Sequence, residues 1–84
     1  MHEGTVVREI MEIVDRAAQQ NDITKVSEIV LRVGPYSCIH AQQLNWYFEI
    51  LAKETCMEGA VIQIERDDTI SGTSQMYIKT FRGE

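Results

Sequence analysis

The chain has 84 residues, 44% of them apolar, one proline and a formal net charge of −5, which bounds it to a single small domain, residues 1–84, near the lower size limit for one self-sufficient core. Its eight Lys and Arg residues are scattered, so neither a nucleic acid nor an anionic membrane is the expected partner. No apolar run approaches a membrane span, and Glu3, Arg8, Glu9 and Glu12 interrupt the stretch where a secretory signal needs an apolar core, so the cytoplasm is the expected compartment.

The sequence opens Met1-His2-Glu3. The Met1 amine, the His2 amide nitrogen and Nδ1 of the His2 ring can close around one metal ion through unstrained five- and six-membered chelate rings. Deprotonating a peptide nitrogen requires a metal that favours nitrogen in a planar arrangement, hence Ni(II) or Cu(II) rather than zinc. The chelate exists only if nothing precedes Met1, and the bulk of His2 should protect Met1 from removal. On spacing alone, a His at position 2 is more often an ordinary residue of a frayed terminus.

Thr5 to Gln20 follows as an amphipathic helix. Val7, Ile10, Val14 and Ala17 recur at helical spacing, Met11 and Ala18 widen the stripe, and Glu9, Glu12, Asp15, Arg16 and Gln19 take the other side. Thr5 suits an N-cap and Asn21 a left-handed stop. Lys25 to Val33 is β-branched and reads as a strand, Ile29, Leu31 and Val33 alternating with Glu28, Val30 and Arg32, ended by Gly34-Pro35. A second helix is predicted from His40 to Lys53, with Ala41, Leu44, Phe48 and Leu51 on one face, Tyr47 and Ile50 beside them, and Trp46 off the stripe at the core edge.

Glu58-Gly59 reads as a turn, Val61 to Glu65 as a short strand, and Gln75 to Phe81 as the last strand. In that last strand Met76 and Ile78 are expected on one face and Tyr77, Lys79 and Phe81 on the other. The order helix-strand-helix-strand-strand predicts an α/β domain of α+β character, two helices packed on one face of a mixed three-stranded sheet. The first two strands should pair in parallel by crossover and the last two as an antiparallel hairpin. Ile10, Val14, Ile29, Leu31, Leu44, Phe48, Leu51, Ile62, Ile64 and Ile78 are the expected core.

Chemistry of other kinds has little support. There is no glycine-rich phosphate loop and no Ser or Cys placed in a nucleophile motif. Asp67-Asp68 sits in a turn, where Asp is favoured for backbone reasons. Cys38 and Cys56 are the only cysteines, and with His2 and His40 they make a poor zinc set. The chain is not expected to be an enzyme.

Met1-His2-Glu3 followed by Val7-Arg8-Glu9-Ile10 resembles the start of the hydrogenase nickel-incorporation proteins of the HypA/HybF family. The resemblance continues through Val26–Gly34, is strongest at Phe48–Thr55, and extends over Glu58-Gly59-Ala60, Ile62–Glu65 and Ile78-Lys79-Thr80. Members of that family carry a zinc-binding insertion, built on two Cys-x-x-Cys pairs, between the last two strands. Here the chain runs from Arg66 to Gly72 with no such pair. The sequence is therefore similar to the nickel-binding domain without its zinc domain, and no structural zinc is expected.

The resemblance implies a nickel metallochaperone that holds Ni(II) at Met1, His2 and Glu3 and passes it to a nickel enzyme such as a hydrogenase. The implied partners are a GTPase accessory protein and the enzyme's large subunit. Glu3 would supply an amide ligand or an outer carboxylate. His40 is a candidate fourth ligand, although a solvent-facing role at the helix start is the commoner fate of such a residue. The alternative function is a metal-independent interaction or regulatory module of the same descent. A monomer and a dimer exchanging the final strand are both compatible with the sequence.

Overall fold

Helix α1 (Glu3–Gln20), strand β1 (Val26–Val33), helix α2 (Ala41–Leu51) and strands β2 (Val61–Arg66) and β3 (Met76–Gly83) follow one another in the expected order. The computed structural model describes residues 3–37, 39–71 and 76–84, with Glu3 described in its backbone only. The sheet is mixed and three-stranded, with spatial order β2-β1-β3. β1 pairs parallel with β2, Ile29 opposite Ile62 and Leu31 opposite Ile64. On its other side β1 pairs antiparallel with β3, Ile29 opposite Phe81 and Val33 opposite Met76.

The hairpin expected between the last two strands does not form, because β1 lies between them. Val26, Ile29, Leu31 and Val33 of β1 are fully buried and Val30 nearly so, a degree of burial that suits the central strand. An edge position would strip one flank of that apolar strand. The nine residues between Arg66 and Met76 are long for a hairpin loop and ample to cross the two strand spacings, about 10 Å, that separate β2 from β3. That crossing starts at the end of β1, where the Asp67 amide donates to the Val33 carbonyl (2.8 Å).

A second departure lies within β3. Its register against β1 jumps between Val30–Thr80 and Leu31–Ile78, leaving Lys79 as an extra residue. Such a bulge inverts the alternation beyond it. Phe81 therefore packs against the core together with Met76 and Ile78, not on the face of Tyr77 and Lys79. At the strand's end, Gly83 passes so close to the Lys25 carbonyl and the Ile23 side chain that a Cβ there would collide with both. The terminal Glu84 clamps the other side of that crossing, donating its amide to the Lys25 carbonyl (2.8 Å) and accepting from the Thr24 amide (2.6 Å).

Both helices cover the same face. Val7, Ile10 and Val14 of α1 and Leu44 and Phe48 of α2 join Ile29, Leu31 and Ile62 in one buried cluster. Leu51, Ile64 and Ile78, expected in the core, flank it half-buried. Tyr47 and Ile50, expected beside the buried stripe of α2, face solvent together with Trp46. The Trp46 and Tyr47 rings meet edge to face at 4.9 Å. Helix α1 begins at Glu3 rather than after Thr5. At its other end the left-handed residue is Asp22 (φ 56°) rather than Asn21, because Asn21 stays in register with its side-chain amide on the Ala17 carbonyl (2.7 Å).

The opposite sheet face carries charge. Arg32 on β1 stands between Glu65 of β2 (3.3 Å) and Asp67 (3.5 Å), and Lys79 of β3 reaches Glu65 (3.2 Å). The Arg32 Nε is buried and makes no hydrogen bond, so its contact with Glu65 is an ion contact only. Glu28 is bridged by Gln63 (2.7 Å) and Arg82 (3.6 Å).

Candidate metal centre

The N-terminal triplet precedes and enters α1. Met1 and His2 lie outside the described residues, and Glu3 is the first residue of the helix. What the structure fixes is where that start sits. Gly4 faces the ring of Tyr47, with 3.9 Å between a Cβ at Gly4 and the ring edge. Toward the far end of α1, the Cys56 thiol donates to Asp15 Oδ1 at 3.7 Å. Moving along α1 from Gly4 to Asp15 thus moves along the chain from Tyr47 to Cys56, so α1 and α2 run parallel. Their N-termini share one end of the molecule.

His40 stands at that end. It is exposed and occupies the N-cap of α2 in an extended conformation (φ −117°, ψ 132°), with no capping bond from its side chain. Its carbonyl accepts the first helical bond, from the Leu44 amide (3.1 Å). The loop that delivers it is held from β2. Arg66 donates through Nη1 to the carbonyls of Gly34 (3.2 Å) and Ser37 (3.0 Å) and through Nη2 to that of Ile39 (3.4 Å). Within the loop, Ser37 Oγ accepts from the Ile39 amide (3.2 Å).

Residues 1–73 match the family model described as hydrogenase/urease nickel incorporation, metallochaperone, hypA. The chain belongs to the HypA family. Hydrogenase maturation factor HypA of Actinobacillus succinogenes is 36% identical over 62 residues, 74% of this chain and 55% of that protein. HybF of Escherichia coli is 31% identical over 64 residues, 76% of this chain and 57% of that protein. The chain thus spans about half the length of the curated HypA and HybF relatives it matches. Its fold is similar to the solution structure of the Ni metallochaperone HypA from Helicobacter pylori, with a TM-score of 0.76 at 16% identity, covering 99% of this chain and 97% of that one.

Among the described residues of this HypA-family chain, the cysteine lies away from the start of α1. Cys56 is at the far end of the helix pair, half-buried, its thiol pushed up by burial and then by the Asp15 carboxylate. A protonated thiol is a poor metal ligand. Cys38 lies outside the described residues. Among the described residues, no three His, Cys, Asp or Glu side chains converge as a metal cluster would.

Asp67 opens the connection after β2. The Thr69 hydroxyl and amide both donate to its Oδ1 (2.6 and 2.9 Å), and Tyr77 and Arg32 approach Oδ2. The Thr69 hydroxyl first, then its amide, with smaller contributions from Tyr77 and Arg32, lower the carboxyl to about 2. It is a turn-forming residue in a tight Asx arrangement, in keeping with the reading of Asp67-Asp68 from sequence.

Two residues that organise this architecture escaped the sequence reading. Arg66 ends a strand in a position indistinguishable from any exposed strand-end cation. Asn45 interrupts an amphipathic helix, and only its partner, the edge of β2, reveals why it is there.

Proposed function

We propose that the chain is the nickel-binding part of a HypA-type metallochaperone, with Ni(II) as its cargo. The observation that carries the reading is the family match beginning at Met1, which takes in Met1-His2-Glu3 and runs on through α1, β1, α2 and β2. Met1 offers its amine and His2 its amide nitrogen and imidazole. Glu3 offers an amide or an outer carboxylate that orients the site. These donors are nitrogen-rich and suit planar Ni(II).

The parallel helices support His40 as the candidate fourth ligand. The two residues ahead of Glu3 span at most about 7 Å, and His40 precedes Tyr47 by seven residues, about 10 Å of helix rise. Both therefore draw on the same end of the α1–α2 pair. The bonds from Arg66 to the 34–39 loop would keep that end ordered while the metal enters.

In this reading the chain acts in the cytoplasm, passing nickel to the large subunit of a nickel enzyme such as a hydrogenase, alongside a GTPase accessory protein. It performs no catalysis. The segment from 66 to 72, where the family's zinc domain is expected, carries no Cys-x-x-Cys pair, and in this reading the fold requires no structural zinc. The test is nickel titration of His2→Ala beside the parent chain. Loss of the imidazole should weaken binding roughly a hundredfold or more, given that even outer-shell changes cost about 10–100-fold. Unchanged affinity would defeat the proposal.

A further inference from the structure

Tyr47 is 38% exposed and contributes little to the core, yet its ring faces the first turn of α1. Its Cε1 and Cδ1 atoms stand 3.9 and 4.0 Å from where a Cβ at Gly4 would lie. Among the described residues, and apart from Gly4's own chain neighbours, no other side chain comes within 4 Å of that point. Trp46 braces the Tyr47 ring edge to face, with 4.9 Å between centroids. Glycine is a poor helix former, and chain ends are the first places to fray. A first turn built on Glu3-Gly4 therefore depends on an outside neighbour, and the structure places the Tyr47 ring there.

The part of α2 that carries Tyr47 is firmly placed. Leu44 and Phe48 are buried in the core, and the Asn45 amide holds both backbone groups of Ile62 on β2, at 2.8 and 2.9 Å. His40 lies seven residues before Tyr47, two helical turns away on the same face of α2. Because α1 and α2 run parallel, a ring that seats the start of α1 on this face also sets how far that start stands from the His40 end.

We infer that Tyr47 is a positioning residue for nickel, its ring seating the Glu3-Gly4 turn so that the amino-terminal donors and His40 can share one ion. The inference rests on the proposed chelate at Met1, His2 and Glu3 with His40 as the fourth donor. The terminal amine, amide and imidazole are joined by short chelate rings and need no help from the fold to bind together. His40 comes from a different element, so its share in the site depends on where α1 begins. Contacts outside the ligands tune metal affinity by fixing such relationships. The ring carbons, not the hydroxyl, face Gly4, so the ring does the seating.

The test is nickel titration, by calorimetry and absorption, of the full chain with a free Met1 amine beside Tyr47→Ala, Tyr47→Phe, His40→Ala and the Tyr47→Ala/His40→Ala double variant. Circular dichroism confirms each fold, and amide exchange at residues 6–8 reports the first turn of α1. Tyr47→Ala should weaken nickel binding about tenfold, speed that exchange and shift the absorption band as His40→Ala does. Tyr47→Phe keeps the ring and should match the parent. The double variant should bind no more weakly than either single one, since both remove the same donor. The inference is overturned by Tyr47→Ala or His40→Ala binding like the parent, by Tyr47→Phe falling as far as Tyr47→Ala, or by additive losses in the double variant. His2→Ala, run alongside, separates the two claims. If it binds like the parent, the chelate reading fails and takes the positioning role with it. If it loses nickel while Tyr47→Ala does not, the positioning role alone falls.

Discussion

The side-chain amide of Asn45 on α2 pairs with both backbone groups of Ile62 on β2. Its Oδ1 accepts from the Ile62 amide at 2.8 Å and its Nδ2 donates to the Ile62 carbonyl at 2.9 Å. The same Nδ2 also donates to the Ala41 carbonyl (2.9 Å), so the amide is fully used. Asn45 thereby satisfies backbone groups that β1 does not reach and gives the open edge of β2 one residue's worth of neighbouring strand. It also fixes the height of α2 over the sheet.

Replacing Asn45 by Ala leaves the Ile62 amide and carbonyl without these partners. A loss of about 1–3 kcal/mol is expected, read as a lower urea midpoint at unchanged slope. An Asn45→Ala chain as stable as the parent would show that water replaces the amide at no cost and that the edge is not held by it.

Arg66 secures the loop ahead of α2 through three carbonyls. Arg66→Ala should cost only about 1 kcal/mol of global stability, since the side chain is exposed and its bonds compete with water. Amide exchange across residues 34–40 should rise much more than elsewhere. Arg66→Lys should not restore protection, because one ammonium cannot reproduce the planar fork that spans those carbonyls. Equal exchange in the parent and Arg66→Ala chains would refute the assignment.

Asp67 ties stability to acid pH. Its carboxyl is held at about 2 in the folded chain against an ordinary 3.8, chiefly by the Thr69 hydroxyl and then the Thr69 amide. A lowered folded pKa means the charged form is favoured in the folded state, so the contribution is complete above about 4 and is lost as pH falls from there through about 2. Glu65 acts in the same direction, lowered by its bond from Lys79 and then by Arg32. Asp67→Asn should flatten the stability profile in this window, measured by thermal melts at stepped pH. A profile unchanged by the substitution would contradict it.

Much of this fold was legible because burial follows period. The stripes through Val7, Ile10 and Val14 and through Leu44 and Phe48 mark the helix faces, and all five side chains are buried. The parallel β1–β2 pair follows from the intervening helix. Strand order was harder. Neighbouring strands in sequence often pair, and the contrary signal was the near-continuous apolar run of Ile29, Val30 and Leu31, the mark of a central strand. The Lys79 bulge that turns Phe81 inward has no sequence signature here, since it is set by the match between β1 and β3. At the candidate metal centre, Met1, His2 and Glu3 were nameable from chelate chemistry and resemblance alone. The placement of His40 at the same end as the start of α1 required the parallel helix pair.

The central claim is that nickel is held by the amino terminus itself. The most direct measurement is nickel titration, by calorimetry and absorption, of protein with a free Met1 amine beside a copy extended by one residue ahead of Met1. Amine and amide nitrogens bind only after losing protons, so the free form should bind tightly, more so at mildly alkaline than at acid pH, with the spectrum of a planar ion. The extended copy should fold identically and lose affinity roughly a hundredfold or more, as removal of a chelating donor demands. Equal affinity and equal spectra for the two forms would contradict the account.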